Sequence, residues 1–164
     1  MQAISAEQVA QTQVWLESLE DESAIEALID RIAEEQPFLF AYLVTMGEGD
    51  LNEDEQELLL YLGLAVWQML SRGEQPLSQV SESDLDRLEQ ENMRLIESLS
   101  GDTEAEFLQK AQSMLKDYAQ PAILSFVLES VMEEESEVLR PSNRGIVIVF
   151  LKIMIDCLDQ GRTS

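Results

Sequence analysis

Carboxylates are the most abundant side chains in this sequence that could do chemistry, and many of them gather in two acidic clusters. At this density they can bind a basic protein surface, hold a divalent cation or act as general acids and bases. The first cluster consists of Glu48, Asp50, Glu53, Asp54, Glu55 and Glu57. The second consists of Glu129, Glu133, Glu134, Glu135 and Glu137. All of these except Glu129 are candidate partner-binding residues.

Helix electrostatics offers a simpler explanation for the first cluster. Asn52 is a helix-capping signal, and the acids after it fall in the first helical turn, where the helix dipole favours negative charge. The second cluster falls at the C-terminal end of a helix, where the dipole disfavours acids. Because Arg140 and Arg144 follow closely, we interpret this cluster either as a local ion-pair network or as a binding surface.

A divalent-cation site is an alternative interpretation of the first cluster, but the spacing does not match an EF-hand. With Asp50, Asn52 and Asp54 at the first three ligand positions, Glu55 takes the place of the required glycine. Tyr61 takes the place of the bidentate glutamate. Weaker binding of magnesium or calcium by the carboxylates is the hypothesis that this comparison leaves open.

Catalysis by these carboxylates is disfavoured by their positions. A helical nucleotide pyrophosphohydrolase needs acids three residues apart on an inward helix face, whereas pairs such as Asp54 with Glu57 fall at helix ends or linkers. The chain contains no histidine, which excludes Glu-x-x-His di-iron sites and nucleophiles activated by histidine. We therefore predict a protein that is not an enzyme and needs no cofactor.

The net charge limits the possible partners. The 164 residues include 33 acids and 10 bases, for a net charge of −23, and 17 of the acids but two of the bases lie in residues 1–82. Such a surface repels nucleic acid and anionic membranes and attracts basic proteins. The favoured function is a protein–protein interaction module with a basic partner. One alternative is a DNA mimic that occupies a DNA-binding protein, and the other is a carboxylate-based divalent metal binder or hydrolase.

The sequence predicts a cytoplasmic protein. Its first residues lack the basic and apolar regions of a signal peptide. Cys157 is the single cysteine, so no disulfide forms within the chain and a reducing compartment is the simpler interpretation. The two apolar runs, Leu58 to Leu70 and Ile146 to Leu158, contain 13 residues each, against the roughly 20 that a membrane helix needs.

The elements that position the clusters follow a pattern that occurs twice. Gln36-Pro37 opens an apolar segment, and Gln120-Pro121 opens a similar one 84 residues later. In each half, an acidic stretch and then one of the apolar runs follow in the same order. An ordered recurrence of this kind is typical of an internal duplication. We predict two related four-helix units, 1–75 and 82–160, within a single domain, 1–164.

Hydrophobic periodicity predicts about eight helices, and therefore an all-α, compact helical bundle. Ser5 with Gln8 marks the first helix by a capping box, and the helices of the two apolar runs are expected at the centre of the molecule. In the second half, one helix is predicted over 103–119. Ile146 to Phe150 has strand propensity, but no second strand is available to pair with it, so we favour a helix there.

A heptad-like pattern in the second half leaves the oligomeric state open. Leucines spaced by three and four residues surround Asn92, a residue type that selects register in coiled-coil dimers. The pattern covers only two heptads, so we favour a bundle helix with Asn92 near its edge. The chain is predicted to be either a monomer or a homodimer.

Overall fold

A computed structural model of the chain describes residues 3–19, 21–46, 49–73, 77–99, 104–116, 118–132, 139–140 and 143–160. These ranges contain α-helices and no β-strand, which confirms the predicted all-α class. Ile146 to Phe150 lies inside a helix, so the helical alternative is correct there. The eight helices in these ranges are α1 (Ala6–Glu17), α2 (Glu22–Glu35), α3 (Pro37–Thr45), α4 (Glu53–Ser71), α5 (Glu82–Leu99), α6 (Glu104–Leu115), α7 (Pro121–Met132) and α8 (Arg144–Gln160).

Capping residues that the sequence identifies begin two of the helices at the expected places. The Ser5 hydroxyl accepts a hydrogen bond from the Gln8 amide (3.1 Å), and the Gln8 side chain accepts one from the Ser5 amide (2.9 Å). At α4, Asn52 and Glu55 make the same reciprocal pair. Each pair satisfies two backbone donors that have no partner within the helix, so both helix starts are set locally.

The central helices are α4 and α8, as their apolar sequences predict. They contact each other, and the outer helices pack around them. More than half of the residues in each are buried, among them Trp67 in α4 and Ile155 in α8. Neither of them, nor any other helix in the described ranges, is both long and apolar enough to cross a membrane.

A close approach joins α3 to α4 at Gly63. A Cβ atom at this position would lie 2.8 Å from each of the two methyl carbons of Leu43, which is itself fully buried. A larger residue would therefore have to displace the Leu43 side chain. Gln56 fastens the same pair of helices, because its Nε2 donates a hydrogen bond to the Leu43 carbonyl oxygen (2.8 Å).

Two buried glutamines hold the extended segments that precede α5 and α1. Gln36 Oε1 accepts a hydrogen bond from the Val80 amide (2.8 Å), and its Nε2 donates to a carbonyl in the same segment (2.9 Å). Gln120 Oε1 accepts a hydrogen bond from the Ile4 amide (2.9 Å). Each glutamine thus satisfies a backbone donor far from it in the sequence, where an unpaired buried amide would be costly.

One helix in the second half ends earlier than predicted. The helix expected over 103–119 is α6, which ends at Leu115. Tyr118 lies beyond that end, and its hydroxyl donates a hydrogen bond to the Asp156 carboxylate of α8 (2.6 Å). The coming Pro121 also disfavours helical geometry in the residue before it. The tertiary contact of Tyr118 and the proline together account for the shorter helix.

Replacing Gln120 with alanine should loosen the start of α1. The change leaves the buried Ile4 amide without its acceptor and removes a hydrogen bond to Asp159 (2.8 Å). We expect the free energy of unfolding to fall by about 1–3 kcal/mol. Hydrogen exchange at the Ile4 amide, followed by NMR, should accelerate.

The control for this change is Gln90→Ala, at an exposed position on α5. It should alter the free energy of unfolding by less than about 0.5 kcal/mol. Unchanged exchange at Ile4 in the Gln120→Ala variant would mean that the glutamine does not hold the segment.

Candidate functional site

The structure divides the candidate acids into exposed, buried and undescribed residues. Asp50, Glu53, Asp54 and Glu57 are exposed at the turn before α4 and on its first two turns, whereas Glu55 is fully buried. The other candidates lie outside the described residues: Glu48, Glu133, Glu134, Glu135 and Glu137. The geometry of the candidate site is therefore that of the first cluster.

The carboxylate of Glu55 is held by donors from the segment that leads into α8. Its side chain is 0% exposed. The Arg140 amide donates to Oε2 (2.9 Å), and the Arg140 guanidinium donates to Oε1 from Nε (3.1 Å) and Nη2 (2.7 Å). Asn143 Nδ2 donates to the same carboxylate at 3.0 Å. A charge removed from water is stable only with partners of this kind.

These contacts determine the protonation of Glu55. Burial alone would raise the pKa of its carboxyl group, but hydrogen bonds from the Arg140 side chain, the Asn52 amide and Asn143 outweigh burial and lower the pKa to about 2. The carboxylate in turn raises the pKa of Arg140. Glu55 is therefore ionised and fully engaged within the molecule. Sequence reasoning assigned Arg140 to the second cluster, whereas its guanidinium contacts this residue of the first.

The same donors also hold the turn between α3 and α4. Arg140 Nη2 donates a hydrogen bond to the Asp50 carbonyl oxygen (2.9 Å), and Asn143 Nδ2 donates to it as well (3.1 Å). Gly49, just before it, has φ of +92°, a value that side chains with a Cβ rarely adopt. Two residues from the second half of the chain thus hold a turn in the first half.

A groove lies between α3 and α4 beside this turn, and we call it the α3–α4 groove. Its volume is about 480 Å³. The residues that line it are Val44, Gly49, Leu51, Asn52, Glu53, Gln56, Glu57 and Leu60. Val44 is 38% exposed, and Leu51 and Leu60 are half-buried. These three side chains form the apolar part of the groove lining, and we call them the floor of the groove.

The acidic side chains that line the α3–α4 groove are exposed, and we call them the rim of the groove. Glu53 and Glu57 contribute two carboxylates, and no basic side chain occurs among the described residues that line the groove. Apolar and acidic groups side by side suit a ligand that carries aliphatic and cationic groups together. No group of three or more Cys, Asp or Glu side chains in the described part of the chain is arranged to hold a metal ion.

A second polar arrangement, which sequence reasoning missed, lies between α5 and α8. Lys152 Nζ donates hydrogen bonds to Asn92 Oδ1 and Asp156 Oδ2, each at 2.9 Å, and Tyr118 donates to Asp156 Oδ1. Asn92 is buried here and not at an edge. The available signal was the pair Lys152 and Asp156, four residues apart inside an apolar run. Because these polar groups satisfy one another's hydrogen-bonding needs, we interpret the arrangement as one that stabilises the packing of α8.

Substitution of Glu55 should separate its structural role from that of its exposed neighbours. Glu55→Gln keeps the shape of the side chain but places an uncharged amide against the Arg140 and Asn143 donors. We expect it to lower the free energy of unfolding by about 3 kcal/mol in urea titrations. The matched control, Glu53→Gln, removes an exposed charge from the same helical turn and should cost less than about 1 kcal/mol. Equal losses in the two variants would contradict the assignment.

Stability should depend on pH through Glu55 in a defined window. Its pKa is lowered in the folded protein from the ordinary 4.5 to about 2, so its stabilising contribution is complete above about pH 5. That contribution is lost as pH falls toward 2. Between pH 5 and 2, the wild-type protein should therefore lose more unfolding free energy than Glu55→Gln, as measured by urea titration at each pH. Parallel curves for the two proteins would refute the assigned pKa.

Comparison of the chain with models of protein families, with curated proteins and with solved structures finds no match. The α3–α4 groove and its acidic rim are the features of the molecule that point to a function.

Proposed function

We propose that this protein is a non-enzymatic interaction module that binds a basic protein through the α3–α4 groove. The observation that carries the proposal is the combination of an apolar floor, formed by Val44, Leu51 and Leu60, with the carboxylates of Glu53 and Glu57 on the rim. Contact with the floor supplies binding free energy in proportion to the apolar area buried, roughly 25 cal/mol per Å². The rim supplies the preference for a cationic partner.

The overall charge supports the same choice of partner. A net charge of −23 produces a long-range field that attracts cationic surfaces and speeds their association. Salt weakens this attraction, since the Debye length falls to about 8 Å at physiological ionic strength. The charge therefore selects the kind of partner, and the groove gives the contact a defined place.

The groove favours this function over the two alternatives. A DNA mimic imitates rows of phosphates and needs no apolar floor, and a carboxylate cation site needs several converging oxygens. The α3–α4 groove combines two rim carboxylates with aliphatic side chains, an arrangement suited to a peptide or protein surface.

The free, buried Cys157 supports a reducing compartment such as the cytoplasm.

We also propose that the chain consists of two related four-helix units, 1–75 and 82–160. Corresponding glutamines support this, since Gln36 holds the segment before α5 and Gln120 holds the segment before α1. The helix contacts support it as well: α1 packs on α4 and α7, whereas α5 packs on α8 and α3. The two central helices, α4 and α8, also contact each other, as equivalent helices of two related units would.

Charge reversal tests the proposed function. The double variant Glu53→Lys/Glu57→Lys changes the rim, and Glu22→Lys/Glu26→Lys changes two exposed acids on α2 by the same net charge. The probe is a fluorescent twelve-residue peptide with three arginines among alanines and glutamines, measured by anisotropy at 0.15 M salt. The rim variant should bind about tenfold more weakly than wild type, since two like charges replace two attractions.

The α2 variant should bind the same probe within about twofold of wild type, a difference below half a kcal/mol. Equal weakening in both variants would mean that the peptide responds to total charge alone, and the groove would not be the binding site.

A further inference from the structure

The turn that borders the α3–α4 groove is held by residues outside the groove. Gly49 and Leu51 line the groove, and Asp50 lies between them in the chain. The Asp50 carbonyl oxygen accepts hydrogen bonds from Arg140 Nη2 (2.9 Å) and from Asn143 Nδ2 (3.1 Å). Neither donor residue lines the groove. Two side chains from the segment before α8 therefore fix the backbone between two groove residues.

The Arg140 guanidinium also holds the start of α4. Its Nε and Nη2 atoms donate hydrogen bonds to Glu55 Oε1 at 3.1 and 2.7 Å. The same oxygen accepts a hydrogen bond from the amide of Asn52, which lines the groove (3.0 Å). One guanidinium thus contacts the turn and the helix start together, and this double contact fixes their relative position.

The turn depends on these contacts because its own backbone restricts it little. Gly49 has φ of +92°, and glycine loses more conformational freedom on folding than any other residue. On the other side of the groove, the hydrogen bond from Gln56 Nε2 to the Leu43 carbonyl oxygen spans 13 residues. The bond from Arg140 to the Asp50 carbonyl oxygen spans 90. The shape of the groove therefore depends on one local contact and on one distant contact.

The charge of Arg140 acts against a cationic ligand. Its side chain is 54% exposed, and its positive charge lies beside the turn that borders the groove. Coulomb repulsion between this charge and a basic peptide opposes binding. If charge were its only influence, neutralising Arg140 would tighten the binding of such a peptide. If Arg140 positions the groove, neutralising it would weaken binding. The two roles thus predict changes of opposite sign.

Resting on the proposed function, we infer that Arg140 is a positioning residue of the α3–α4 groove, and that its ion pair with Glu55 controls how tightly the groove binds a basic partner. Arg140 acts through the Asp50 carbonyl oxygen and the start of α4, without touching the partner. While the ion pair is intact, binding spends little free energy on ordering the turn. Without it, the partner must select the binding conformation from several, which lowers the apparent affinity.

The first test uses the sign of the change in affinity. The probe is the fluorescent arginine peptide of the charge-reversal experiment, measured by anisotropy at 0.15 M salt with the full-length protein. Arg140→Gln should bind it about fivefold more weakly than wild type, although a repulsive charge is removed. The control, Arg94→Gln, removes an exposed charge from α5 and should bind the probe as tightly as wild type or more tightly. Equal or tighter binding by Arg140→Gln would overturn the inference.

The second test avoids leaving the buried Glu55 carboxylate without its partner. Glu55→Gln/Arg140→Gln removes one negative and one positive charge, so the net charge is unchanged and the ion pair is absent. Circular dichroism checks that this variant is folded. It should also bind about fivefold more weakly, with a faster dissociation rate and a similar association rate, because association responds mainly to charge. The matched control is Gln120→Ala, which is expected to destabilise the start of α1 and should bind within about twofold of wild type.

The outcomes separate this inference from the proposed function. If wild type binds the probe, Glu53→Lys/Glu57→Lys weakens binding and the Glu55→Gln/Arg140→Gln variant matches wild type, the inference is wrong and the proposed function stands. Equal weakening in Gln120→Ala would mean that affinity follows overall stability, which would also overturn the inference alone. If wild type does not bind the probe, or if reversing the rim charges has no effect, both are wrong.

Discussion

A carboxylate removed from water lies at the start of α4, and the arrangement of both helix connections depends on how it is neutralised. Glu55 needs donors on both oxygens, and its own helix supplies only the Asn52 amide. The remaining donors come from Arg140 and Asn143, so the segment before α8 must lie against the start of α4. The Asp50 carbonyl oxygen accepts hydrogen bonds from the same two side chains. One ion pair therefore sets the turn that borders the α3–α4 groove.

The polar groups of Asn92, Tyr118, Lys152 and Asp156 join α8 to its neighbours by hydrogen bonds. Helices as apolar as α4 and α8 pack favourably in many registers, because the hydrophobic effect has no direction. Lys152 reaches Asn92 on α5, and Asp156 on the same helix accepts from Tyr118 near α7. Only one register satisfies both contacts, which selects a single packing among several of similar apolar burial. One residue of each hydrogen-bonded pair, Lys152 in the first and Asp156 in the second, lies inside the second apolar run of the sequence.

Local signals were readable from the sequence, and contacts between distant residues were not. Ser5 with Gln8, and Asn52 at the start of α4, act within one helical turn, so the residues alone identify them. Glu55 fitted the same local logic, as an acid in a first turn. Its burial depends on Arg140, which lies 85 residues later in the chain. No sequence pattern within a single helix indicates a contact of that kind. The sequence did not indicate the groove either, because its lining residues come together only when α3 packs against α4.

The hydrogen bonds of Gln36 and Gln120 also determine when parts of the chain can reach their final structure during synthesis. The Ile4 amide finds its acceptor on Gln120, 116 residues later in the chain. On a ribosome, the first helix therefore emerges long before the side chain that holds its start. Gln36 is likewise made 44 residues before Val80, whose amide donates a hydrogen bond to it. Contacts of such long sequence separation slow folding, because the intervening loop must close first. The start of the first helix can thus be held in place only after about half of the second unit has been made.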